Sequence, residues 1–161
     1  MSIKHFEVFH GIALTKLIRN EKPVSVSLIE TKPAEDWQVY GIIDVDLFVK
    51  HRTKSNSQVR KKGRQSWQFT FSPHEISRIN KKGARPVYVA LICGQQNIRD
   101  EMEICFLKPE QVKGIFPSAV DKTFSLTVRS EEGHSLKIFV GRKVRDIISR
   151  NAIEKWEIPG R

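Results

Sequence analysis

Apolar residues follow two rhythms along the chain. Phe6, Phe9, Ile12, Ala13, Leu17 and Ile18 recur at helical spacing and predict an amphipathic helix over residues 4–19. Gly11 weakens it by about 1 kcal/mol relative to alanine, and Pro23 ends any continuation. A period of two then takes over. Val24, Val26 and Leu28 alternate with serines, which predicts a half-buried strand over Val24–Lys32. Gln38–His51 reads as one long strand with a bend at Gly41, paired with the first as a hairpin. Ser66–Ser72 places Trp67, Phe69 and Phe71 on one face.

Ser72, Pro73 and Glu75 spell a helix start: an N-cap, a proline in the first turn and an acid three residues after the cap. Gly83 is a natural stop. Pro86–Gly94 is almost wholly apolar, as expected of a strand inside a sheet, and Glu101–Leu107 returns beside it. A short helix follows over 108–116, and two strands flank Glu131, Glu132 and Gly133 as a further hairpin. Lys143–Trp156 reads as one or two helical turns. The order predicts an α+β fold in one domain, 1–161. Its mixed or largely antiparallel sheet has about seven strands, with an N-terminal helix and two or three further short helices.

Charge changes this picture more than composition does. Twenty-eight Lys and Arg face 18 Asp and Glu, a formal net charge of +10 in 161 residues. Such a surplus favours polyanions, nucleic acid foremost, then an acidic protein or an anionic surface. No apolar run is long enough to span a membrane, and the first twenty residues lack the pattern of a secretory signal. The expectation is a soluble, cytoplasmic protein.

The charge is uneven. Between His51 and Trp67 lie Arg52, Lys54, Arg60, Lys61, Lys62 and Arg64, with no acid among them. The connection is longer than a hairpin needs. Its cations could neutralise phosphates, and Trp67 at its end could stack on a base; the competing reading is a solvated loop. Arg78, Lys81, Lys82 and Arg85 extend the basic surface if they share its face, and Arg142, Lys143 and Arg145 form a third cluster.

The predicted long strand carries candidate chemistry. A period of two puts Ile42, Asp44, Asp46, Phe48 and Lys50 on one face and Ile43, Val45, Leu47 and Val49 on the other, taken as the core face. Glu30 and Lys32 sit on the preceding strand. Carboxylates and a lysine on adjacent strands can hold Mg²⁺ and a nucleophilic water. Over residues 4–72 this arrangement is similar in outline to PD-(D/E)XK nucleases, which implies Glu30, Asp44, Asp46 and Lys50 as catalytic residues with Mg²⁺ as cofactor. The order departs from that family: the acid-x-Lys triplet Glu30–Lys32 precedes every candidate Asp, and Phe48 stands where the second acid belongs. The competing reading is a charged face with cross-strand pairs. The chain also resembles small bacterial or phage-type proteins in "HGIALTKL", "VDLFVKHRTK", "SWQFTFSPHEI", "VALICG", "EICFL" and "GHSLKIFVG". That resemblance implies no particular reaction.

Cys93 and Cys105 lack the further ligands a zinc site requires and read as buried thiols nearly opposite one another in a hairpin. His74 and His134 have no partner identifiable from spacing. The sequence therefore favours a nucleic-acid-binding domain without a cofactor, using the basic loop and neighbouring basic surface to contact phosphates. The alternatives are a Mg²⁺-dependent nuclease and a basic adaptor that docks an acidic protein.

Overall fold

The computed structural model describes residues 5–19, 25–32, 36–53, 63–81, 83, 85–95 and 102–157. It is an α+β fold whose nine strands form two sheets. The elements run α1 His5–Ile18, β1 Val26–Lys32, β2 Trp37–Ile42, β3 Val45–Arg52, β4 Arg64–Phe71, α2 Pro73–Ile79, β5 Val87–Cys93 and β6 Glu103–Leu107. They continue with α3 Pro109–Ile115, β7 Phe124–Glu131, β8 Leu136–Val140 and β9 Lys143–Ile148. The first sheet has the order β1-β2-β3-β5-β6 and is antiparallel except where β3 pairs with β5. The second is antiparallel, in the order β4-β7-β8-β9.

Both faces of the first sheet are covered. On one, Val45, Leu47, Val49, Ala90 and Ile92 meet Phe9, Ala13 and Leu17 of α1, joined by Ile153 and Trp156 from the C-terminal turns. On the other, Val39, Phe48, Val89 and Leu91 meet Trp67, Phe69 and Phe71 of β4 and Leu126, Val128 and Ile138 of β7 and β8. The molecule is layered as helix, sheet, sheet. Gly94 lies where the layers join: a Cβ there would meet the ring of Phe9 at 2.8 Å, so no larger residue fits unless that ring shifts.

The predicted long strand is in fact a hairpin. β2 and β3 are joined by a two-residue turn at Ile43 and Asp44, with Ile42 opposite Val45. Ile43 has φ of 54°, a left-handed conformation that costs a β-branched residue energy. Asp44 is accordingly on an exposed turn, not on the strand face shared by Asp46 and Lys50. A second correction concerns residues 143–148, which form β9 instead of a helix; turns follow from Arg150. These changes raise the strand count from seven to nine. The cysteines lie on paired strands as expected, offset by two residues: Cys93 pairs with Glu103 and Cys105 with Leu91, so they are diagonal neighbours. Both are free and buried, and burial pushes both thiols up in pKa.

A buried polar chain ties α1 to the first sheet. His10 Nδ1 lies 3.2 Å from the Tyr40 hydroxyl, which donates to Gln38 Oε1; Gln38 Nε2 in turn donates to Thr31 Oγ1 at 2.9 Å. Burial, and then the neighbouring His51, lower the pKa of His10 from 6.5 to about 4. The folded state thus holds His10 neutral where the unfolded chain would protonate it. Its stabilising contribution is complete above pH 6.5 and is lost as the pH falls from 6.5 towards 4. The full loss is on the order of 3 kcal/mol at about 1.4 kcal/mol per pKa unit. Urea unfolding at pH 7 and pH 4.5 should register most of this loss in the parent, and a clearly smaller one in His10→Gln.

Candidate nucleic-acid interface

The predicted acid–lysine constellation is built into the layer between sheets. The face of β3 carrying Asp46 and Lys50 is covered by α2 and the second sheet, leaving them 7% and 4% exposed. Helix α2 is held by the expected cap: Ser72 Oγ accepts from Glu75 N, Glu75 Oε1 accepts from Ser72 N, and Pro73 opens the first turn. The cap fixes Glu75, whose other oxygen accepts from Lys50 Nζ at 2.7 Å. Asp36 lies 3.2 Å from the same ammonium group, which also stands 5.2 Å from the centroid of the Phe71 ring.

One helical turn on, Arg78 reaches two of the predicted acids. Its Nη2 donates to Asp46 Oδ2 at 2.9 Å and its Nε to Glu30 Oε2 at 3.1 Å. Arg85 takes the other oxygen of Asp46 at 2.7 Å and also donates to Val45 O. His74 Nε2 is 3.3 Å from Glu30 Oε1. Glu30, Asp46 and Lys50 are thus brought into one network, while Asp44 stands apart. Each carboxylate in it already faces a guanidinium or ammonium group. Among the described residues no group of three His, Cys, Asp or Glu could hold a metal ion. The arrangement can tie α2 to β1 and β3; it offers Mg²⁺ no open set of oxygens.

The expected basic surface is also redistributed. Arg78 is buried in ion pairs, so it does not belong to an open phosphate-binding surface; Arg85 is ion-paired with Asp46 but keeps a side chain 42% exposed. Trp67 is corrected as well: it is 1% exposed, and its Nε1 donates to Gly94 O at 2.9 Å. A base could stack on it only if the sandwich opened. Arg52 and Lys81 are exposed, and Arg64 lies 3.3 Å from Glu131. Lys54, Arg60, Lys61, Lys62 and Lys82 lie outside the described residues.

Sequence reading missed a different surface, the outer face of the second sheet. Because Trp67, Phe69 and Phe71 point inward, Ser66, Gln68 and Thr70 point out, and the register extends each across the sheet. One row reads Ser66, Arg129, Lys137, Ile147; its neighbour reads Gln68, Thr127, Phe139, Val144. Arg129 and Lys137 are direct cross-strand partners. Like charges so placed, with Cβ atoms about 4.5–5.5 Å apart, destabilise a sheet. No carboxylate pairs with either among the described residues; the guanidinium of Arg129 instead lies 4.2 Å over the ring of Phe139. Its Nε is buried there without a hydrogen-bond partner among the described residues.

Beside these rows, Arg142, Lys143 and Arg145 are exposed on β9 and the turn before it. Arg64 begins β4 on the same outer face, so the basic segment between β3 and β4 leads onto this sheet. The signal in the sequence was the alternation in "TVRS" and "LKIFV", which sets Arg129 against Lys137 once the hairpin register is known. No family model matches the chain, and no match was found among the curated proteins or the solved structures.

Proposed function

We propose that the protein binds nucleic acid through phosphate contacts on the outer face of the second sheet. The observation that carries this reading is the Arg129–Lys137 pair. Two cations set directly opposite one another, with no ion-paired carboxylate among the described residues, cost the fold stability that a bound polyanion would restore. The exposed Arg142, Lys143 and Arg145 at the β9 side add positive charge beside the pair. The net charge of +10 favours the encounter from any direction. Phosphate contacts of this kind set affinity and orientation and carry little sequence information.

The test is a salt titration with a labelled oligonucleotide, read by fluorescence anisotropy. Each neutralised phosphate contributes about −0.7 to the slope of log K against log[salt] on a single strand, or about −0.9 on a duplex. The Arg129→Ala/Lys137→Ala variant should bind more weakly and lose roughly 1.4 units of slope on a single strand. Removing that like-charge pair should leave the fold as stable as the parent or more so. Affinity should survive EDTA. A variant that binds DNA and RNA like the parent across the titration would locate the interface elsewhere. A parent protein that ignores nucleic acid at physiological salt, yet captures an acidic protein, would replace this reading with the adaptor.

A further inference from the structure

We infer that this face takes single-stranded nucleic acid, with Phe139 and the Arg129 guanidinium as the platform on which unpaired bases stack; the inference rests on the binding reading above. Phosphates alone would need only the cations. The same face also leaves large apolar groups in solvent: Val144 is 49% exposed and Ile147 is 59% exposed, and they neighbour Phe139 and Lys137 across the β8–β9 pair. Exposed apolar side chains gathered around a cation pair mark a contact surface that is not purely ionic.

Duplex DNA cannot use that part of the surface. Its bases are stacked inside, and its major groove admits a helix or a two-stranded ribbon. Four strands about 4.8 Å apart make a face roughly 14 Å across, too broad for either groove. The remaining side chains along these rows, Ser66, Gln68, Thr70, Ser125 and Thr127, are short to medium and polar. A duplex could therefore meet the sheet only through its phosphates. A single strand can turn its bases toward the sheet, stack one on an aromatic ring or guanidinium plane, and set its phosphates against Arg129 and Lys137. Stacking is tolerant of sequence because every base has a π face. The recognised chemistry is common to unpaired DNA and unpaired RNA.

Anisotropy with labelled dT12, U12 and a 12-base-pair duplex tests this on the full chain, with circular dichroism of each variant as the folding control. The parent should bind at least one single strand about tenfold or more tighter than the duplex, and the comparison of dT12 with U12 shows whether DNA or RNA is preferred. Phe139→Leu, which keeps apolar bulk but removes the π face, should weaken single-strand binding roughly 5- to 100-fold with little change in salt slope. It should leave duplex binding where it was, and Phe139→Trp should bind single strands at least as tightly as the parent. Equal affinity for duplex and single strands, or parental affinity in folded Phe139→Leu, overturns the inference and leaves nucleic-acid binding standing. If none of the three probes binds, the underlying reading falls and takes this one with it.

Discussion

Trp67→Ala should cost the fold about 3–5 kcal/mol, the range for removing a buried aromatic side chain from a core. Trp67 is among the largest fully buried side chains and stands in the cluster shared by the two sheets. Its loss also strands the carbonyl of Gly94, which accepts the indole N–H at 2.9 Å. Trp67→Phe separates the two contributions. It keeps most of the apolar contact and removes only the hydrogen bond, so it should cost about 1–3 kcal/mol. Urea unfolding measures both. Folded Trp67→Phe should bind nucleic acid as the parent does; a weakened affinity at unchanged fold would return Trp67 to the interface.

Lys50→Met should be similarly damaging, about 3–5 kcal/mol, because it leaves the carboxylate of Glu75 buried without its cation. Glu75 is 4% exposed and retains only the cap hydrogen bonds with Ser72 once the ammonium is gone. Asp36 is 40% exposed at its side chain and can turn to water, so it adds little to the cost. Adding Glu75→Gln to Lys50→Met should recover much of the loss: glutamine still caps Ser72 N and carries no charge to bury. A single variant that unfolds at the parental urea midpoint would mean that the buried network contributes nothing to stability. A double variant no better than the single would place the cost in lost packing of the lysine stem against Phe71, not in the stranded charge.

The elements that were legible in the sequence are those whose signals are local. α1 follows from its apolar spacing, α2 from Ser72, Pro73 and Glu75, and β5 from seven consecutive buried residues. The β2–β3 turn was hidden because Ile43 and Asp44 are not the Asn-Gly or Asp-Gly pairs that favour positive φ. An apolar residue held in a left-handed turn looks like the middle of a strand. β9 was hidden for a different reason: Val144, Ile147 and Ile148 also fit one face of a helix, and the bulge opposite Ile138 and Phe139 breaks the alternation.

The candidate site was less legible because strand alternation distinguishes two faces but not which is wet. With one core assumed, Asp46 and Lys50 had to face solvent; a second sheet covers them instead and turns them into ion-pair partners of Arg78 and Glu75. The basic residues were countable, yet their placement depended on tertiary partners. Arg78 and Arg85 meet Asp46 some thirty to forty positions away, whereas the cross-strand partners of Arg129 are Ser66 and Lys137 and its guanidinium lies over Phe139. What distinguishes a cation used by the fold from one left for a ligand is the presence of a carboxylate across the strand, and that is a property of register.

β3 and β5 are neighbours in the first sheet, but the chain between them leaves that sheet, lays down β4 in the second, forms α2 and only then returns. The parallel seam from Asp46–Val87 to Arg52–Cys93 therefore closes around a strand that belongs to the other layer. The β3–β5 pairing has to close over the intervening β4 and α2. Such a weave couples the layers kinetically: the loop-closure entropy of the seam is met before its hydrogen bonds form, which slows folding in the way long-range pairings do. The second sheet thus begins with β4 inside the crossover of the first and is completed by β7, β8 and β9 only after β6, the last strand of the first sheet, has been laid down along the chain.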